Sequence, residues 1–88
     1  MKICRYEGKY NISGERVRRI RRENGISQEK LAIKLQLAGL NITQKTISRM
    51  ETGKRIITDY ELSFLADVLN VTVYDLLGME DQQEADAL

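Results

Sequence analysis

The sequence has no histidine, no proline and one cysteine, Cys4. Without histidine or a cysteine cluster it holds neither a zinc-ligand set nor the Ser-His-Asp or Cys-His arrangement of a nucleophilic hydrolase. A lone thiol closes no internal disulfide, which fits a reducing, cytoplasmic setting. No P-loop and no Gly-rich dinucleotide fingerprint occurs, so no cofactor is expected. No apolar run approaches the roughly 18 residues of a membrane helix, and residues 1–14 lack the apolar stretch of a signal peptide. Carboxylate pairs occur as in any charged helical chain, but nothing sets two of them across a cleft. The expectation is a protein that is not an enzyme.

What is present is charge and periodicity. At 88 residues the chain makes one domain with a small core, of modest stability unless it dimerises. Its net charge of +1 hides an asymmetry. All 14 Lys and Arg lie between Lys2 and Arg55, where they meet only five acids, a net of +9. Residues 56–88 hold eight acids and no base. Such a division suggests a polyanion-binding face on one side of the domain, although a solvated helix surface has the same composition.

One local pattern recurs five times: an apolar residue, a Ser or Thr, and a second apolar residue four positions after the hydroxyl. The instances are Ile12-Ser13 with Val17, Ile26-Ser27 with Leu31, Ile42-Thr43 with Ile47, Ile57-Thr58 with Leu62 and Val71-Thr72 with Leu76. The hydroxyl caps an orphan amide of the first helical turn, and the apolar pair staples the turn in place. Thr58 with Glu61 adds a capping box. Gly25, Gly39, Gly53, Asn70 and Gly78 supply the stops. The reading is all-α, with helices over 14–24, 28–38, 44–52, 59–69 and 73–77. The apolar positions Val17, Ile20, Leu31, Ala32, Leu35, Ile47, Met50, Leu62, Leu65, Ala66, Leu69, Leu76 and Leu77 form the expected core. Residues 1–12 show no periodicity and are read as a flexible arm, a basic arm or a short strand in a dimer contact. Residues 79–88 form an acidic tail expected to be disordered.

The second and third helices make the unit that places one helix in the major groove. On the third, Ile47 and Met50 face inward. Gln44, Lys45, Ser48 and Arg49 face out, and all can donate hydrogen bonds to base edges or phosphates; Gln suits adenine and Arg suits guanine. The helix N-terminus adds free amides for phosphate.

The segment from Arg21 through Gly25-Ile26-Ser27-Gln28-Glu29-Lys30-Leu31-Ala32 resembles the opening of the Cro/lambda-repressor-like helix-turn-helix family, also called the xenobiotic-response-element type. Thr46-Ile47-Ser48-Arg49-Met50-Glu51-Thr52-Gly53-Lys54-Arg55 is similar to it too, as are Tyr60-Glu61-Leu62, Leu65 to Val71 and Asp75-Leu76-Leu77. The resemblance covers about residues 13–78. It implies a compact five-helix domain that binds operator DNA, usually as a dimer. It implies Gln44, Lys45 and Arg49 as base readers, and Gln28 as a phosphate clamp that braces a base-reading side chain. It also implies Thr43, Thr46, Lys54 and Arg55 as phosphate contacts, and Arg21 with Glu51 as a buried ion pair. One departure is a connection about five residues longer than the family's tight turn, Gln36-Leu37-Ala38-Gly39-Leu40. The expected accommodation is one more turn of the second helix, a stop at Gly39, and Leu37 or Leu40 packed over the added space.

The functional expectation is a sequence-specific transcriptional regulator, a repressor, acting on double-stranded DNA as a homodimer with no membrane role. An antitoxin with a protein partner on its acidic half is a variant of the same reading. A protein-interaction module on the same fold is the alternative class. Tyr60, Phe64 and Tyr74 are either exposed anchors of a dimer surface or part of the core.

Overall fold

A computed structural model describes residues 5–79. Cys4 and all of the acidic tail except Met79 therefore lie outside the described residues. Five helices follow in order: α1 (Gly14–Glu23), α2 (Gln28–Ala38), α3 (Gln44–Glu51), α4 (Asp59–Leu69) and α5 (Val73–Leu77). The described residues contain no strand, only an isolated bridge between Tyr6 and Lys9.

Four of the five expected caps form. Ser27, Thr43, Thr58 and Thr72 each accept from the backbone amide three residues on. Thr72 and Asp75 complete a second capping box alongside that of Thr58 and Glu61. The first cap needs correction. Ser13 is buried and its side chain makes no cap bond. Asn11 takes over: its Oδ1 accepts from the Gly14 amide at 2.7 Å. The Ile12 side chain is left exposed.

Packing follows the apolar stripes. Val17, Leu31, Leu35, Ile47, Met50, Leu65 and Leu76 are completely enclosed. Leu62 and Leu77, expected in the core, are only half-buried at its margin. Leu40 and Ile42 join the core from the long α2–α3 connection. There α2 ends on Gly39 at φ 111°, a left-handed conformation open to glycine. The Leu40 amide then donates back to the Leu35 carbonyl at 2.9 Å. Gln36 Nε2 reaches the Ile42 carbonyl at 2.6 Å and closes the connection on itself. Leu40 thus fills the added space, while Leu37 remains 85% exposed on the outer side of α2.

α1 crosses the end of α3 at close quarters. A Cβ on Gly14 would fall onto the Met50 carbonyl, so only glycine permits this approach.

Candidate nucleic-acid interface

Successive residues of α3 turn through about 100°, which sorts its faces. Ile47, Met50 and Glu51 are buried. Lys45 and Arg49, one turn apart on the opposite side, are exposed. Gln44 is exposed on the flank nearest α2, Ser48 is half-buried, and the half-buried Thr46 lies on the other flank. Exposed Thr43 caps the helix, and its hydroxyl lies 3.0 Å from that of Thr46. All the base-reading candidates except Ser48 are therefore open to solvent, on a helix anchored by two enclosed apolar side chains.

A chain of polar contacts runs from the interior to this surface. Arg21 donates from Nε to Glu51 Oε2 at 2.7 Å and from Nη2 to Oε1 at 2.9 Å, and from Nη1 to the Ile26 carbonyl. The two side chains are 8% and 1% exposed. This paired geometry raises the Arg21 pKa, chiefly through the hydrogen bond to Glu51. Gln28, at the start of α2, donates from Nε2 to Glu51 Oε1 at 2.9 Å. Gln44 in turn donates from Nε2 to Gln28 Oε1 at 2.6 Å.

The chemistry of the carboxylate sets the polarity of this chain. Ionised Glu51 only accepts, so Gln28 must face it with its NH2 group and turn its oxygen outward. Gln44 must then meet that oxygen with an N–H. This leaves Gln44 one free N–H and a free carbonyl oxygen, and leaves Gln28 one free N–H.

The loop after α3 is held from both sides. Arg55 donates from Nη1 and Nη2 to the two oxygens of Glu61, each at 2.9 Å, and from Nη1 to the Ile56 carbonyl. Glu61 also accepts from the Thr58 amide at 3.0 Å. Burial pushes the Glu61 pKa up, but the Arg55 hydrogen bond, the Thr58 amide and the Arg55 charge outweigh it and hold it below its ordinary 4.5. The Arg55 pKa is raised by the same hydrogen bond. This second ion pair was not anticipated from sequence, where Arg55 was read as a phosphate contact and Glu61 as a capping residue alone. Among the described residues, only Nε and one N–H of Nη2 on Arg55 remain uncommitted. Lys54 is exposed.

Residues 5–12 grip the same loop. Glu7 and Gly8 have φ of 51° and 79°, the two successive positive values of a type I′ turn. Tyr6 and Lys9 exchange backbone hydrogen bonds across it, of 2.7 and 3.0 Å. The Tyr10 amide donates to the Gly53 carbonyl at 2.8 Å. Asn11 Nδ2 donates to the carbonyls of Met50 and Arg55, at 3.0 and 2.7 Å. Lys9 lies against Gly53 and pairs with Glu15. Nothing in the residue pattern announced this docking: Glu-Gly is a weak type I′ signal, and the partners are main-chain carbonyls.

A family model described as helix-turn-helix matches residues 17–76, which is 60 of the 88 residues. No curated protein and no solved structure matches the chain.

Proposed function

Because the chain belongs to the Cro/lambda-repressor-like helix-turn-helix family, whose members are DNA-binding transcriptional regulators, we propose that it is a repressor reading the major groove with α3. The observation that carries this reading is the exposed row Gln44, Lys45 and Arg49 on a helix fixed from beneath by the Arg21–Glu51 pair. A free N–H beside a free carbonyl oxygen on Gln44 matches the N7 acceptor and N6 donor of adenine. Arg49 suits the two acceptors of guanine. Gln28, with one N–H to spare, has the chemistry to hold a phosphate at the groove edge while bracing Gln44. Thr43, Thr46 and Lys54 supply further donors to phosphate, with Ser48 beside the base readers.

Repression follows from occupancy, since a bound regulator of this kind excludes other proteins from the same groove. One copy reads few base pairs, so a two-fold dimer on a palindromic site is part of the proposal, with half-site centres about 34 Å apart or a multiple of it. Tyr60 and Tyr74, 58% and 45% exposed, are the candidate anchors of its interface. Selection from random duplexes by the full chain tests the reading: enrichment of a palindromic site supports it, and a pool that stays random refutes it.

A further inference from the structure

The turn Arg5–Tyr10 lies outside the matched residues 17–76, yet it is bound to the loop that follows α3. We infer that this turn extends the DNA-binding surface, with Arg5 contacting a backbone phosphate beside the one met by Lys54. The inference rests on the DNA-binding reading of α3 and adds a contact to it.

Geometry places the turn where phosphates stand. An eight-residue helix is about 12 Å long, and the major groove is about 12 Å wide. With α3 in the groove, the loop at its end comes up against the wall of the groove, which is sugar and phosphate. The backbone of Tyr10 is bonded to Gly53, next to the exposed Lys54. The Arg5 guanidinium lies 5.8 Å from the centre of the Tyr10 ring, within the range of a cation–π contact. Stacking narrows the conformations open to an exposed arginine while leaving its N–H edges free, which suits it to a phosphate.

Charge agrees. Arg5, Lys9 and Lys54 outnumber Glu7 and Glu15 in this region, and Lys9 is already paired with Glu15. Arg5 and Lys54 then face one remaining acid, Glu7, so the region keeps a net positive charge. Asn11 and the Gly53 carbonyl hold the turn to the loop, so the added contact is positioned rather than trailing.

The test is a salt titration of the full chain on a labelled mixed-sequence duplex about three helical turns long. Arg5→Ala is expected to make the log–log slope shallower by about 0.9, the value of one phosphate contact. Arg5→Lys should retain the slope. Lys54→Ala should lower it by a similar amount, and the double variant by about twice as much. If Arg5→Ala binds with the slope of the unmodified chain while Lys54→Ala is shallower, the turn is a structural brace only and the inference is overturned. If the unmodified chain itself shows no salt-dependent binding, the DNA-binding reading falls and takes the inference with it.

Discussion

Gln44 on the surface of α3 and Gln28 at the start of α2 are joined by a 2.6 Å hydrogen bond whose direction is dictated by a buried carboxylate behind them. The orientation of an exposed amide is thus set from the interior. Gln28→Ala should cost little in stability, because the side chain is only half-buried, but should relax preference at the base pair read by Gln44. A good bidentate base contact discriminates by about 1–3 kcal/mol, and a large part of that should go. Binding-site selection with the variant checks this; an unchanged preference would show that Gln44 needs no brace.

Glu51 and Arg49 lie two residues apart on α3 and should behave oppositely. Glu51→Ala strands Arg21 in a buried site and should destabilise by about 3–5 kcal/mol. Arg49→Ala removes an exposed side chain and should leave the melting temperature nearly unchanged while abolishing a base preference. Thermal melts of both variants decide it, and an Arg49→Ala protein that fails to fold would mean that the faces of α3 are misassigned.

Acid should loosen the loop between α3 and α4. The folded-state pKa of Glu61 is depressed, so in the window below its ordinary 4.5 the unfolded chain binds more protons than the folded one. The stabilisation from this carboxylate is complete above that window and is lost as pH falls through the folded value. Glu61→Gln should therefore melt lower near neutrality but lose less on acidification. Melting curves from neutral pH downward check it; parallel acid profiles for the two proteins would exclude Glu61 as a contributor.

Gly14→Ala should destabilise although alanine is the better helix former. Its Cβ would meet the Met50 carbonyl, a backbone atom that cannot rotate aside. Overpacking of this kind costs about 1–3 kcal/mol, or roughly 4–8 °C per kcal/mol in a domain of this size. An unchanged melting temperature would show that α1 can withdraw from α3 without loss.

The five helices were legible because hydroxyl caps and apolar stripes act within a single turn, where residue type alone carries the signal. The Arg21–Glu51 pair and the Gln28 brace on Gln44 came instead from resemblance, since no local rule links residues 30 or 16 positions apart. The Arg55–Glu61 pair was hidden by a second plausible use for each partner. Ser13 misled because a serine before an apolar stripe looks the same whether it caps or is buried, and the true cap, Asn11, lies two residues earlier. The fold of residues 5–12 was least legible, being written in carbonyl groups that every residue possesses.

The partners of Asn11 lie 39 and 44 residues further along the chain. Closing so long a loop costs entropy that no local contact repays. During synthesis residues 5–12 therefore stay unattached until α3 and the loop after it have left the ribosome. A nascent chain arrested before Arg55 should leave its amino-terminal turn open to protease, and release of the remaining residues should protect it.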